Sequence, residues 1–153
     1  MPRPAGVSPL GAPQGLGVAT SALKFDAGLR NHLLDQIEAF IGASPLLRVY
    51  SGTVPDSIAD PIVGTLLAEI ACPSDWMGAA TGGVKEIAGS WTAAAIATGQ
   101  QSFFRMVDSG GTARIQGTAS GTGGGGNLQL DSVTITSGQT VAVTVFSLTG
   151  GNA

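Results

Sequence analysis

Few residues in this chain have side chains that could carry out covalent chemistry. The sequence contains one histidine, His32, and one cysteine, Cys72. Together they could form a thiolate–imidazole pair, in which the histidine takes the thiol proton and the sulfur attacks a substrate. The pattern instead places His32 on the solvated flank of a helix and Cys72 at the end of an apolar strand, where a free cysteine behaves as a small buried hydrophobe. No Gly-x-Ser-x-Gly nucleophile motif occurs. We therefore predict no catalytic residues.

Two further segments have compositions that occur in ligand sites. Asp56 and Asp60 lie in a loop bounded by Pro55 and Pro61, but two carboxylates fall short of the six or more oxygens that Ca²⁺ prefers. The glycine-rich run 121–126 offers successive backbone N–H groups for an anion, yet it lacks the lysine and hydroxyl that complete a phosphate loop. A single cysteine excludes an internal disulfide and any multi-cysteine metal site. We expect neither a metal ion nor a cofactor.

Two tryptophans keep a carbohydrate-binding function open. Trp76 and Trp91 could stack on a sugar ring, or they could fill the core or an interface. The first interpretation requires at least one of them to be exposed on a concave face, which the sequence alone does not decide.

Composition points to a protein that assembles with others. The chain has 153 residues, a net charge of −3 and only 11% charged residues, against a typical value of about 25%. A weakly charged surface protects poorly against self-association. The seven Lys and Arg form no basic cluster, so we expect no nucleic-acid partner. No apolar stretch reaches the length of a membrane span and no secretory signal is evident, so we expect no membrane partner either.

The first twenty residues predict an extended arm. Four prolines, Pro2, Pro4, Pro9 and Pro13, fall within residues 1–20, and proline at this density blocks both helix and central strand. The arm carries one charged residue, Arg3, and apolar side chains at intervals. We predict that these side chains dock into grooves of a partner: Val7, Leu10, Leu16 and Val18.

A helix is predicted at about 27–41. Asp26 can cap its start, and Gly42 can end it before Pro45 prevents continuation. Apolar residues repeat every four positions, and Leu34 and Phe40 widen the stripe. We predict that the helix packs on the rest of the fold through Leu29, Leu33, Ile37 and Ile41, with Arg30, Asp35 and Glu38 on its other face.

After Pro45 the periodicity falls to two and β-forming residues dominate. Strands are predicted at 47–50, 65–72, 84–87, 101–107, 113–118, 128–135 and 140–148, with a hairpin turn at 107–112. The predicted fold is therefore mainly β: a jelly-roll-like antiparallel β-sandwich with one N-terminal helix and an extended N-terminal arm. Residues 21–153 are expected to form a single domain.

Several segments, taken in order, resemble a group of small proteins encoded in the structural gene blocks of tailed bacteriophages and prophages. The resemblance covers about residues 23–148 and rests on the order of weak motifs at 23–34, 47–55, 64–70, 103–108, 115–118 and 128–148. It implies a virion structural component with a β-sandwich and no known chemistry. The arm at 1–20 is not part of the resemblance.

Resemblance and composition together predict a non-enzymatic capsid decoration, or cement, protein. Such a protein binds the outside of the phage head and stabilises the lattice, with the major capsid protein and other copies of itself, in a trimer, as partners. It would be made in the host bacterial cytoplasm and located on the capsid surface of the virion. A tail, neck or fibre-base component is the alternative, and a β-sandwich carbohydrate-binding module is the second alternative.

Overall fold

The computed structural model describes residues 22–153. The predicted partner-binding residues of the arm, Val7, Leu10, Leu16 and Val18, lie outside this part of the chain. Between Ala27 and Thr149 the chain forms one helix and eight strands. Their bounds are α1 Ala27–Ile41, β1 Leu46–Tyr50, β2 Leu66–Ala71, β3 Val84–Glu86, β4 Thr92–Ala94, β5 Phe103–Val107, β6 Ala113–Gly121, β7 Leu128–Leu130 and β8 Thr140–Thr149.

Helix α1 begins and ends where its local sequence predicts. The Asp26 carboxylate accepts a hydrogen bond from the Leu29 N–H at 2.7 Å, which satisfies one of the free donors of the first turn. At the other end Gly42 has a φ of +88°, a conformation that side chains with a Cβ rarely adopt. Its N–H donates to the Glu38 carbonyl at 2.9 Å. The predicted helix at 27–41 is confirmed.

The eight strands form one curled, mixed sheet. Its hydrogen-bonded order is β2-β1-β5-β6-β7-β8-β3, and β4 pairs with β8. Neighbouring strands are antiparallel except β6 and β7, which are parallel. Just after β4, the Ile96 N–H donates to the Leu67 carbonyl of β2 at 2.7 Å, so this segment links the β8 side of the sheet to β2. The mainly β class with one helix is confirmed. The finer prediction was a jelly-roll-like antiparallel sandwich. One sheet that contains a parallel pair of strands does not establish it.

Several strands differ from the sequence prediction. β4 was not predicted, because three residues of Thr and Ala carry little strand signal. The predicted strand at 128–135 ends at Leu130. In β8 the pairing register shifts opposite Gln129 and Leu130, which marks a β-bulge. Beyond the bulge, the β8 positions that would otherwise point to the core point to solvent, and the reverse. Val145 is therefore exposed and Phe146 buried.

Aromatic rings fill the centre of the core. Trp76 and Trp91 are 0% and 1% exposed, and their ring centroids lie 6.0 Å apart. The ring centroids of Trp91 and Phe146 lie 5.7 Å apart. The rings of Phe146 and Phe104 pack edge to face, with their centroids 5.6 Å apart. The carbohydrate-binding alternative required at least one exposed tryptophan. Both are buried, so neither can stack on a sugar ring.

The packing of helix α1 corrects the sequence prediction. Of the four predicted packing residues, Ile41 is buried, Ile37 is partly buried against the core, and Leu29 and Leu33 are about half exposed. Four residues turn the helix by about 400°, so each member of the series lies about 40° further round the axis than the last. The series therefore drifts from solvent into the core. Leu34, which widens the apolar stripe beside this series, is 3% exposed.

Candidate functional site

An open apolar groove runs between helix α1 and the sheet. Its volume is about 560 Å³. Helix α1, the loop between β1 and β2, and strands β6 and β8 contribute its lining. Two lining residues are polar, Gln36 and Arg114. The other eight are apolar: Leu33, Ile37, Phe40, Ile41, Ile58, Ala113, Ile115 and Leu148. We call this feature the helix groove.

An exposed apolar strip on helix α1 extends the helix groove towards the start of the helix. We call it the helix strip; it consists of Leu29, Leu33 and Phe40, which are 45%, 47% and 70% exposed. At about 100° per residue these three side chains fall within about 40° of one another around the axis. Ile58, on the opposite wall of the groove, is also exposed. A contiguous apolar surface of this kind marks a site of interaction rather than isolated surface residues.

Polar side chains on another face of helix α1 hold it against the segment that leads into β3. Asn31, Asp35 and Glu38 share one face because they are spaced by four and three residues. We call them the polar seam. Each accepts a hydrogen bond from a backbone N–H: Gly83 to Asn31 Oδ1 at 2.7 Å, Ala80 to Asp35 Oδ1 at 3.1 Å, and Met77 to Glu38 Oε1 at 3.2 Å.

Lys85 completes the polar seam from the β3 side. Its side chain is 2% exposed, and its ammonium nitrogen lies 2.7 Å from Asp35 Oδ1 and 2.8 Å from Glu38 Oε2. The same nitrogen donates to the Gly78 carbonyl at 2.7 Å. Burial by itself lowers the pKa of Lys85, but the hydrogen bonds to the two carboxylates outweigh it and raise the pKa above its ordinary value. The hydrogen bond from Lys85 in turn lowers the pKa of Asp35.

The polar seam corrects the sequence prediction for this face of the helix. Asp35 and Glu38 were placed on the face opposite the apolar stripe without any partner, whereas both bind Lys85 and the backbone of 77–80. Arg30, assigned to the same face, packs instead against Gly83 and Gly150. A signal was present in the sequence: Asn31, Asp35 and Glu38 are three acceptors at helical spacing with no lysine or arginine four residues beyond any of them. Their partners are remote in sequence, so the pattern alone did not identify them.

A buried arginine fixes the loop that forms the far wall of the helix groove. Arg105 of β5 is 8% exposed, and its Nη2 donates to the Asp60 carbonyl at 2.7 Å and to the Ser57 carbonyl at 3.4 Å. Its Nε donates to Gln116 Oε1 at 2.8 Å. These bonds tie the turn at 57–60 to the sheet. Ile58 belongs to this turn, so Arg105 determines where that wall of the groove stands.

Arg114 and Phe40 form the rim of the helix groove. The guanidinium carbon of Arg114 lies 4.8 Å from the centre of the Phe40 ring, within the range of a cation–π contact. Asp108 holds the arginine there, since Arg114 Nε donates to Asp108 Oδ2 at 2.7 Å. Hydrogen bonds from the Thr112 backbone and from Arg114 lower the pKa of Asp108. The charge of Arg114 is thus neutralised at the rim.

The single histidine and the single cysteine lie in different environments. His32 is exposed on helix α1. Cys72 is 3% exposed, and burial raises the pKa of its thiol to about 12. The thiol therefore stays protonated at neutral pH, whereas nucleophilic attack needs the thiolate. The structure does not bring these two residues together in a shared pocket.

The segments considered for ligand binding also have structural partners. In the glycine-rich run 121–126, the N–H groups of Gly123, Gly124 and Gly126 donate to acceptors of the chain itself. Asp60 caps its own turn by accepting from the Ser57 N–H at 2.9 Å. Within residues 22–153 no three His, Cys, Asp or Glu side chains cluster in a way that could hold a metal ion.

A smaller polar pocket lies beside the glycine-rich run. It has a volume of about 280 Å³ and is lined by Gln100, Gln101, Ala119, Ser120, Gly121, Thr122, Gly124 and Val133. Gln101 is 6% exposed; its amide nitrogen donates to the Ser132 carbonyl at 2.6 Å, and its Oε1 has no hydrogen-bond partner. Its lining side chains are amides, hydroxyls and apolar groups, so the pocket offers hydrogen bonds. The hydroxyls of Ser120 and Thr122 donate to backbone carbonyls of the chain itself, and no basic side chain lines the pocket beside them.

Comparison with known proteins identifies no relative. No protein-family model, no curated protein and no solved structure matches the chain. In the part of the chain that the structure describes, no helix is long and apolar enough to cross a membrane. The functional interpretation therefore rests on the geometry, in which the most extensive exposed apolar feature is the helix groove with its helix strip.

Proposed function

We propose that this protein is a non-enzymatic structural component of a tailed-phage virion, most specifically a capsid decoration protein that binds the outside of the head. The observation that carries the proposal is the helix groove with its helix strip. Together they present exposed apolar surface on a chain in which 11% of residues are charged. A surface of this kind is stable in a particle where it is covered by a neighbouring subunit.

The chain architecture supports an attachment role. Residues 1–20 are rich in proline and carry Val7, Leu10, Leu16 and Val18. Proline restricts the unbound chain and so reduces the entropy that is lost when an arm is ordered on a partner. We propose that the arm binds the major capsid protein and that the weakly charged faces of the sheet meet other copies of the chain in a trimer. The protein is then made in the host cytoplasm and carried on the capsid surface.

The test of position is copy number. Quantitative mass spectrometry of purified virions is expected to give a ratio to the major capsid protein that approaches the number of capsid subunits. A few to a few dozen copies per particle would instead identify a neck, tail or fibre-base component, which is the alternative function. Absence from washed, infectious particles would overturn a virion role altogether.

The test of attachment uses the full-length chain. Replacing Val7, Leu10, Leu16 and Val18 together by serine is expected to abolish cosedimentation with undecorated heads. The matched control replaces the three arm alanines, Ala5, Ala12 and Ala19, by serine, which changes the arm without removing its large apolar side chains. Equal binding by both variants would assign attachment to the folded part of the chain.

A further inference from the structure

We propose that, in the free protein, residues 1–20 fold back over the helix strip and occupy the helix groove of their own chain. The occupant is thus the arm of the same molecule, lying along helix α1 with its apolar side chains in the groove. The inference concerns the isolated protein and does not depend on the proposed function.

The position where the described chain begins supports this occupant. Just after Ala22, the Phe25 N–H donates to the Asn152 carbonyl at 2.7 Å, and Lys24 Nζ donates to the Ala153 carbonyl at 2.9 Å. These contacts hold the chain beside the N-terminal end of helix α1. The first residue of the helix strip, Leu29, follows Ala22 by only seven residues and lies in the first turn of helix α1. The arm therefore leaves the described fold close in sequence to the start of the strip.

The lengths of the arm and the helix strip agree. Leu29 to Phe40 is eleven residues, or about 17 Å along the helix axis. An extended proline-rich chain advances about 3.1 Å per residue, so five or six arm residues cover that distance. Leu10 and Leu16 are six residues apart, about 19 Å in such a chain. Leu16 can therefore lie near Leu29 while Leu10 lies near Phe40.

The arm and the helix groove are also chemically complementary, since both are largely apolar. Eight of the ten residues that line the groove are apolar, and the charge of Arg114 at its rim is already neutralised by Asp108. Between Pro4 and Lys24 the chain has no charged residue. Its prolines have no N–H groups that would lose their hydration in the groove. Proline-rich segments dock into grooves that present an aromatic ring, and Phe40 provides that ring.

Covalent linkage favours the same chain over a second copy. An arm attached beside its own groove acts at an effective concentration in the millimolar range. Free copies in a dilute solution are far below that concentration. Even a weak arm–groove contact is therefore populated within one molecule. This docking covers the apolar strip that a weakly charged protein otherwise exposes, and any partner that takes the arm must first displace it from the groove.

The test places a nitroxide spin label on the arm of the full-length protein. The label is attached to Gln14→Cys, between Leu10 and Leu16, in a Cys72→Ala background, and backbone amide signals are recorded by NMR with the label oxidised and reduced. We expect the oxidised label to abolish most of the amide intensity at Leu33, Ile37 and Leu148. Intensity that is unchanged there, or lost on another surface instead, would overturn the proposal.

Three further samples make the result specific. Phe40→Ser removes the exposed ring from the groove and is expected to restore the amide intensities at Ile37 and Leu148. Val63→Ser removes a side chain that is 76% exposed and does not line the groove, so it is expected to leave the effect intact. In the third sample, spin-labelled protein without isotope is mixed with isotope-labelled protein without the spin label. Loss of groove intensity in this mixture would show exchange of arms between copies and would overturn docking within one chain.

Discussion

The ammonium nitrogen of Lys85 lies 2.7 Å from Oδ1 of Asp35, although 50 residues separate the two in sequence. This contact, together with Glu38, joins helix α1 to β3 through charged groups rather than through apolar packing. The arrangement leaves a different face of the helix, that of Leu29, Leu33 and Phe40, free for binding. The ion pair thus sets the orientation of the helix and, through it, the exposure of the helix strip.

Removing the Lys85 ammonium should destabilise the fold. In Lys85→Met the carboxylates of Asp35 and Glu38 and the Gly78 carbonyl lose their shared donor, which should lower the free energy of unfolding by about 1–3 kcal/mol. The loss stays below that of a fully buried pair because the Asp35 side chain is 44% exposed and water can replace part of the interaction. Urea denaturation measures the change. Lys24→Met, at an exposed site, is the control and should change the value by less than about 0.5 kcal/mol.

Adjacent leucines on helix α1 should respond very differently to truncation. Leu34 is 3% exposed and Leu33 is 47% exposed. Leu34→Ala should cost about 2–5 kcal/mol, because it leaves a cavity in the core. Leu33→Ala removes a side chain that is only half buried and should cost about 1 kcal/mol. Denaturant midpoints of the two variants provide the comparison. A larger loss at Leu33 would mean that the helix is rotated from the orientation described.

Acidification should weaken the rim of the helix groove through Asp108. Its pKa lies below the ordinary value of 3.8 because the Thr112 N–H and Arg114 hydrogen-bond the ionised form. The stability that these bonds contribute is fully present above the ordinary pKa and is lost as the pH falls through the lower folded-state value. The melting temperature of the wild type should therefore fall more steeply below about pH 4 than that of Asp108→Asn. Asp75→Asn, which removes the same charge from an exposed site, should keep the wild-type slope.

The Cys72 thiol should be unreactive in the native protein. It is 3% exposed and burial raises its pKa to about 12, so both access and thiolate formation are suppressed. At about pH 8, near the ordinary thiol pKa, Ellman's reagent should label it fully in denaturant and only slowly in buffer. Rapid labelling of the native protein would contradict the buried position. The double variant His32→Asn, Cys72→Ser should retain the fold and any binding to capsids.

Some features of the candidate site were evident in the sequence. Leu33, Ile37 and Ile41 were singled out from their spacing, and all three line the helix groove. Ile58, Arg114 and Leu148 were not, because they come from a loop and two strands that only the sheet brings beside helix α1. The role of Arg105 was also missed, since its partners are backbone carbonyls in a loop about 45 residues earlier.

The sequence by itself determined the features that depend on near neighbours. The bounds of helix α1 follow from Asp26 and Gly42, and the β5–β6 hairpin from the turn at Asp108, because caps and turns are satisfied by hydrogen bonds across a few residues.

Only the tertiary structure decided which side of each element is buried. A helix whose apolar residues spread over a wide arc can pack in several rotations, and the partners that select one of them, Gly83 for Asn31 and Lys85 for Asp35, lie about 50 residues away. In β8 the bulge opposite Gln129 and Leu130 exposes Val145 and buries Phe146 against the simple alternation. Burial depends on contacts that are distant in the chain, and periodicity within one element contains no information about them.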